Sequence, residues 1–126
     1  MHFPDNLLYT KDHEWVRIEG EAAFVGITDF AQSELGDIVY IDIETLNQSV
    51  ELGGMFGTVE AVKTVSDLFM PIEGTVIEVN EKLADEPELV NKDPYGEGWM
   101  IKLSIEGDPS GSDLLSHADY EKMVGA

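Results

Sequence analysis

The feature that most constrains the fold of this chain is an internal repeat. Residues 57–63 read Gly-Thr-Val-Glu-Ala-Val-Lys, and residues 74–80 read Gly-Thr-Val-Ile-Glu-Val-Asn. Each copy begins with glycine and continues with the β-branched residues that are typical of a strand. If the two copies are structural equivalents, Lys63 and Asn80 both lie where a strand ends in a turn. The repeat therefore predicts two similar β-halves packed around one core.

Most of the remaining chain also has the pattern of strands. Residues 15–19 alternate between apolar and polar side chains, and Gly20 separates them from the apolar run 22–27, which together predict a hairpin. Pro87 and Pro94 mark a polar connection. Three further runs predict strands: residues 38–43, 50–52 and 99–105.

Two short helices are expected between and after these strands. Thr28 or Asp29 can cap a helix of about two turns, which Gly36 is placed to end. Near the end of the chain, Ser112 and Ser116 can each cap a turn of a helical C-terminus. The fold class expected from the pattern is therefore mostly β with short helices.

A tight turn is predicted immediately before the second copy of the repeat. The sequence Pro-Ile-Glu-Gly at residues 71–74 carries the proline and glycine that are typical of a type II turn. We therefore expect Gly74 to adopt a positive φ and Gly74→Val to destabilise the fold.

Size and charge limit the classes of function. The chain has 126 residues, of which 43% are hydrophobic, so we expect residues 1–126 to form a single domain with one core. Its 26 acidic and 7 basic residues give a net charge of -19. This charge repels phosphate backbones and anionic bilayers and disfavours nucleic acid and membrane as partners. The same charge either keeps the surface well solvated or steers basic partners toward it.

Other features of the sequence bear on compartment and redox chemistry. No apolar run approaches the roughly 20 residues of a membrane span, and residues 1–5 lack the character of a targeting segment. A cytoplasmic location is expected, or the mitochondrial matrix for a processed form. The chain has no cysteine, so any sulfur redox chemistry must come from an attached group.

Lys63 is the candidate functional residue that the pattern singles out. It lies between the strand-like runs 55–62 and 65–70, so its side chain is expected to project from a hairpin tip into solvent. A lysine at a turn commonly serves only solubility. However, Lys63 is the only lysine or arginine between Arg17 and Lys82. Its isolation in an acidic stretch favours a specific use.

Other arrangements of reactive residues carry less information. The three histidines, His2, His13 and His117, are scattered without metal-ligand spacing and are expected on the surface. Nucleophile-elbow, phosphate-loop and calcium-loop motifs are absent, so active-site chemistry of the chain's own is disfavoured. Five aromatic residues fall in strand-like runs and are expected in the core: Trp15, Phe24, Tyr40, Phe56 and Trp99.

The segment around Lys63 resembles a known family. Residues 57–67 are similar to the lipoylation segment of glycine cleavage H proteins, and the similarity extends from Tyr9 to Val124. It includes three further blocks, at residues 10–16, 26–32 and 93–102.

The chain departs from the common family pattern at two places. Thr64 and Val65 stand where small alanines are frequent, and Phe69 and Met70 stand where a more polar pair is usual. An apolar rim is therefore expected near Lys63.

The resemblance implies a fold and a role. The implied fold is a β barrel-sandwich hybrid of the lipoyl-domain type, with lipoic acid bound covalently to Lys63. The implied role is that of a carrier and not of an enzyme. It takes the aminomethyl group of glycine from a pyridoxal-phosphate decarboxylase, the P-protein, to a tetrahydrofolate-dependent aminomethyltransferase, the T-protein. It then delivers dihydrolipoyl to a flavin dehydrogenase, the L-protein. A lipoate-attaching enzyme is the fourth implied partner.

Four residues besides Lys63 are expected to serve the cofactor. Glu60, Ser66 and Asp67 belong to the segment that resembles the attachment site, and Glu14 lies in the similar block around His13. The carboxylates of Glu14 and Asp67 are candidates to pair with the protonated amine of a loaded arm and to shelter it from water.

Several alternatives stay open at this point. One is a lipoyl-relay donor that passes the cofactor to other proteins. Another is a lipoyl module of a 2-oxoacid dehydrogenase, although such modules usually carry Asp-Lys-Ala at the turn. A biotin carrier typically places methionine on both sides of the lysine, whereas Val62 and Thr64 flank Lys63. The last alternative is a purely structural β-protein.

Overall fold

The computed structural model describes residues 2–106 and 114–125 of the chain. The strands, numbered in chain order, are β1 Leu8–Tyr9, β2 Glu14–Glu19, β3 Ala22–Ile27, β4 Ile38–Asp42, β5 Ser49–Val50, β6 Met55–Ala61, β7 Val65–Phe69, β8 Gly74–Val79 and β9 Ile101–Ile105. The helices are α1 Asp29–Leu35, α2 Lys82–Asp85, α3 Leu89–Lys92 and α4 His117–Val124. The predicted class, mostly β with short helices, is confirmed.

The strands form two antiparallel sheets around a shared core. The larger sheet has six strands in the order β1-β2-β3-β9-β8-β5, and the smaller has three in the order β4-β6-β7. Val59 on β6 and Val76 on β8 are both almost completely buried in the same apolar cluster. Since these strands belong to different sheets, the main core lies where the two sheets face each other.

The internal repeat forms one strand in each sheet. Gly57 lies inside β6, whereas Gly74 begins β8. The chain turns after both strands, as predicted, but the environments of the two turns differ. Lys63 is exposed, whereas Asn80 is buried and its side-chain amide donates hydrogen bonds to two backbone carbonyl groups. The two copies of the repeat therefore share a strand followed by a turn, but their last residues differ in burial and in hydrogen bonding.

The prediction of a positive φ at Gly74 is wrong. Gly74 lies in β8, and the described glycines with positive φ are Gly20, Gly36, Gly53 and Gly125. The need for glycine comes instead from close approach. A Cβ atom at this position would overlap the carbonyl oxygen of Ser104 and lie 2.8 Å from Leu103 Cδ1 on the neighbouring strand β9.

Local end signals account for the two longer helices. Thr28 caps α1 by accepting a hydrogen bond from the backbone of Ala31 at 3.1 Å, and Gly36 ends the helix with φ 80°. Ser116 caps α4 in the same way. The other predicted cap, Ser112, lies outside the described residues. The short helices α2 and α3 occupy the stretch predicted as a polar connection, and each has only four residues, too few for a helical period to be visible.

One of the five expectations for aromatic side chains is wrong. Tyr40 is 54% exposed, because the pairing of β4 with β6 is irregular between Ile38 and Tyr40. Trp15 and Phe56 are fully buried as expected, and Phe24 and Trp99 are partly buried.

The three histidines also differ from one another. His2 is exposed, and His117 is partly buried. His13 is partly buried and its ring packs 4.8 Å from that of Phe30, so it is not a simple surface residue.

Candidate attachment lysine and the neighbouring cavity

Lys63 lies at the tip of the hairpin that joins β6 to β7. The tip is closed by a hydrogen bond from Ala61 N to the carbonyl oxygen of Thr64 at 2.8 Å. A second bond, from Val62 N to the carbonyl oxygen of Asp37 at 3.0 Å, ties the tip to the start of β4. The side chain of Lys63 is exposed. A rigid backbone therefore presents this amine to solvent, as the sequence predicted.

The Lys63 side chain passes over the end of helix α1. A Cβ atom built on Gly36 would lie 3.5 Å from Lys63 Cε and 3.9 Å from its Nζ. Within the described ranges 2–106 and 114–125, the Lys63 amine forms no salt bridge. The amine lies at the end of the helix that forms one wall of a cavity.

We call this cavity, which has a volume of about 400 Å³, the arm cavity. Three parts of the chain contribute most of its wall: the turn before β2, helix α1 and strand β7. The lining residues are Asp12, His13, Ile27, Phe30, Ala31, Glu34, Leu35, Val59, Ser66, Asp67 and Leu68. Apolar side chains thus occur together with the carboxyl groups of Asp12, Glu34 and Asp67.

The structure places the predicted site residues in different surroundings. Ser66 and Asp67 line the arm cavity. Glu60 is exposed and pairs with Tyr40 on one side and Val65 on the other, so it lies on the outer face of the smaller sheet. Glu14 lies outside the arm cavity and is only 1% exposed.

Glu14 has an unusual environment for a carboxyl group. Its Oε2 accepts a hydrogen bond from Phe69 N at 2.9 Å, and Oε1 lies 3.2 Å from the Thr10 hydroxyl. Burial raises the pKa of Glu14 to about 8, although both hydrogen bonds act in the opposite direction. Glu14 is therefore mostly protonated at neutral pH.

A second, smaller cavity of about 200 Å³ lies beside Glu14. Its lining includes Thr10, Glu14 and Met70, and also Asp12, which lines the arm cavity as well. Asp12 therefore stands at the boundary between the arm cavity and the buried carboxyl group.

Sequence reasoning missed Asp12, Glu34 and most of the apolar lining. One signal was present: Phe30 and Glu34 are four residues apart on a predicted helix, so they share a face. That spacing does not show that the face borders Lys63, because the contact depends on how α1 packs against the two sheets.

The exposed surface next to Lys63 is apolar, but Val65 is the only apolar residue behind that prediction that contributes to it, because Met70 is buried and Phe69 is partly buried. Val62 is 75% exposed and Val65 is 59% exposed, and Val39 and Tyr40 on β4 extend the same surface. We call these four residues the apolar rim. Glu60 lies within it, between Tyr40 and Val65 in one cross-strand row.

Neither a metal site nor a membrane-spanning helix is found in the described part of the chain. Residues 2–106 and 114–125 contain no group of three or more histidine, cysteine, aspartate or glutamate residues arranged to hold a metal ion. Over the same ranges, no helix is long and apolar enough to cross a membrane.

Comparison with known proteins gives a consistent result. A sequence model of the family described as Glycine cleavage H-protein matches residues 7–126. The glycine cleavage system H protein of Bacteroides thetaiotaomicron is 55% identical over 124 residues, which span 98% of each chain. The corresponding protein of Bacteroides fragilis is 53% identical over 126 residues, which span 100% of each chain.

A solved structure extends the comparison to the fold. The crystal structure of a glycine cleavage system H protein from Mycobacterium marinum matches with a TM-score of 0.91 and 35% identity. The match covers 98% of this chain and 100% of that one.

The two-sheet fold, with an exposed lysine at a hairpin tip, defines a carrier domain of the lipoyl type, a barrel-sandwich hybrid. The chain belongs to the glycine cleavage H-protein family. Its role in glycine cleavage is that of a lipoyl carrier, and the other components of that system are its partners. The predicted family and fold are confirmed.

Proposed function

We propose that residues 1–126 form one lipoyl-carrier domain in which lipoic acid is joined to Lys63 by an amide bond. The observation that carries this proposal is the exposed amine at a rigid hairpin tip, beside a cavity with apolar and carboxyl-bearing walls. Lysine plus lipoyl extends roughly 15 Å by summed bond lengths, which is enough to enter a partner's active site. When bound, the group supplies a dithiolane whose sulfur accepts the aminomethyl group of glycine.

The arm cavity suits such a group chemically. The apolar side chains of Phe30, Leu35 and Leu68 can cover a hydrocarbon chain, and their burial excludes water from it. Asp67 and Asp12 place carboxylates where the protonated amine of the cargo can pair with them.

Glu14 can pair with the cargo only when its carboxyl group is ionised. At neutral pH it is mostly protonated, and a neutral carboxyl attracts an ammonium group only weakly. An ammonium group that arrives in the small cavity past Asp12 would favour the ionised form of Glu14 and lower its pKa. Glu14 is therefore the inner partner for the cargo, and Asp67 is the outer one.

The proposed partners are the P-protein, the T-protein, the L-protein and a lipoate-attaching enzyme. The apolar rim around Lys63 offers these enzymes a contact surface, and Glu60 within it can pair with a basic residue. The net charge of -19 also steers basic surfaces toward the chain. The same charge repels the chain from nucleic acid and from anionic membranes. We propose a cytoplasmic location, or the mitochondrial matrix for a processed form.

Reconstituted glycine oxidation tests this function. The lipoylated chain is mixed with the P-, T- and L-proteins, glycine, tetrahydrofolate and NAD, and NADH is followed. The unmodified sequence should support turnover, and Lys63→Arg should abolish it, because a guanidinium group does not accept the lipoyl group. Lys92→Arg, at an exposed lysine on α3 that lines neither cavity, is the matched control and should be active. Turnover by Lys63→Arg, or no turnover by the lipoylated chain, would contradict the proposal.

A further inference from the structure

The Tyr120 hydroxyl lies at a junction between three parts of the molecule. Tyr120 belongs to the C-terminal helix α4, is fully buried, and stacks on Tyr9 with a centroid distance of 4.8 Å. Its hydroxyl is 2.7 Å from Thr28 Oγ1 and 2.8 Å from His13 Nδ1. Burial raises the pKa of Tyr120 to about 12, so the hydroxyl keeps its proton at neutral pH.

The hydrogen bonds at this junction have one favourable direction. Thr28 Oγ1 already accepts the bond from Ala31 N that caps α1. Among the described residues, the hydroxyl proton of Thr28 has only Tyr120 as an acceptor, and Thr28 is fully buried. Thr28 must therefore donate to Tyr120, and Tyr120 to His13 Nδ1, because the reverse order leaves a buried hydroxyl proton unpaired.

One end of this chain of hydrogen bonds lines the arm cavity, and the other end caps the helix that forms one of its walls. His13 lines the cavity directly. Thr28 caps α1, which supplies Phe30, Ala31 and Glu34 to the same cavity. Thr28 N also donates to the carbonyl oxygen of His13 at 3.0 Å, and the His13 ring packs against Phe30. Tyr120 itself does not line the cavity.

We propose that Tyr120 is a positioning residue for the arm cavity: its hydroxyl holds the His13 ring as an acceptor at Nδ1 and fixes the first turn of α1, so the C-terminal helix sets the shape of the cavity. This inference rests on the proposed use of the cavity by a loaded arm.

Protonation of His13 opposes this arrangement. A protonated ring must donate from Nδ1, which reverses the chain and leaves the Thr28 proton unpaired. Burial also lowers the pKa of His13, while the carboxylates of Asp12 on the same turn and Glu34 on α1 act in the opposite direction. Asp67 on β7 faces the same cavity. Helix α4 contributes Tyr120, whose hydroxyl contacts the His13 ring.

Tyr120→Phe removes the junction and keeps the aromatic packing. Tyr9→Phe is a matched control, because Tyr9 is equally buried in the same stack but its hydroxyl donates to the Pro4 carbonyl group, away from the cavity. Nitrogen NMR of the imidazole rings gives the tautomer and the pKa of His13 in each protein without requiring the lipoyl group. We expect Nδ1 unprotonated in the unmodified chain, and a rise in the His13 pKa of about half a unit or more in Tyr120→Phe only.

A second readout connects the junction to the arm. Loaded protein loses its cargo by hydrolysis, in which water breaks the carbon–sulfur bond and releases formaldehyde and ammonia while the sulfur is left as a thiol. Ammonia release should be roughly three- to tenfold faster in loaded Tyr120→Phe, a change of about 0.7 to 1.4 kcal/mol. Loaded Tyr9→Phe should match the unmodified chain.

The outcomes separate this inference from the proposed function. A His13 proton on Nδ1 in the unmodified chain overturns the inference, whether or not Tyr120→Phe folds. Equal ammonia release from Tyr120→Phe, with faster release from Asp67→Asn, overturns the inference and leaves the proposed shelter standing. Equal release from Tyr120→Phe and Asp67→Asn overturns the inference, and unchanged release from Glu14→Gln as well overturns the shelter with it.

Discussion

Glu14 on β2 accepts a hydrogen bond from Phe69 N on β7 at 2.9 Å, so a carboxyl group that is 1% exposed joins the two sheets. This contact explains why an acidic residue can occupy a buried position. Burial favours the protonated form of the carboxyl group, against the two hydrogen bonds from Thr10 and Phe69 that satisfy its oxygens.

The first prediction concerns stability and pH. The pKa of Glu14 is about 8 in the folded chain and about 4.5 ordinarily, so the folded state binds the proton more tightly. Its contribution to stability is complete below the ordinary pKa and is lost as the pH rises through about 8. Between pH 5.5 and 7.5, the unfolding free energy of the unmodified chain should fall more steeply than that of Glu14→Gln, by up to about 1.4 kcal/mol per pH unit.

Urea unfolding at several pH values measures this difference. Glu51→Gln is the control, because it makes the same chemical change at an exposed position and should keep the slope of the unmodified chain. Parallel slopes for Glu14→Gln and the unmodified chain would show that Glu14 is ionised in the folded state.

The second prediction concerns the loaded arm. An ion pair at 4 Å with an effective dielectric constant near 20 gives about 4 kcal/mol before desolvation and ordering, which leaves a net effect of ~1 to 2 kcal/mol. Ammonia release from loaded Asp67→Asn, and from loaded Glu14→Gln, should therefore be roughly five- to thirtyfold faster than from the unmodified chain. Asp85→Asn, on helix α2, is the control. If both variants released ammonia at the unmodified rate across neutral pH, the carboxylates would have no sheltering role.

The third prediction concerns the close approach of β8 and β9. Gly74→Ala should destabilise the chain by about 1 to 3 kcal/mol, because its Cβ would overlap the Ser104 carbonyl oxygen. Gly74→Asn separates this explanation from a need for positive φ. Asparagine tolerates the left-handed region, so it would be the milder change if φ mattered. Thermal unfolding should instead show Asn to be at least as harmful as Ala, and a clearly milder effect of Asn would contradict the close-approach account.

Features that depend on neighbours in the sequence were predictable. The ends of α1 follow from the hydroxyl of Thr28 and the conformational freedom of Gly36, and the hairpin tip at Lys63 follows from the two runs that flank it. These signals are local, so no knowledge of packing was needed. The family was also accessible, because the segment around Lys63 is specific.

Features that depend on packing were not predictable. The arm cavity unites Asp12, Glu34 and Asp67, which lie on a turn, a helix and a strand that are distant in sequence. The burial of Glu14 and the contact of His13 with Tyr120 depend on how the two sheets and α4 assemble. Nothing in the local residue pattern distinguishes Asp12, Glu34 or Tyr120 from ordinary surface groups.

The most direct test of the central claim is peptide mapping of the lipoylated chain by mass spectrometry. Lys63 is exposed at a rigid tip beside the arm cavity, so the account predicts one lipoyl-amide increment, located on the peptide that contains Lys63. Lys63→Arg, prepared in the same way, should carry no increment. Lipoate on Lys11, Lys82 or Lys92, or an increment that persists in Lys63→Arg, would contradict the assignment of Lys63 as the attachment site.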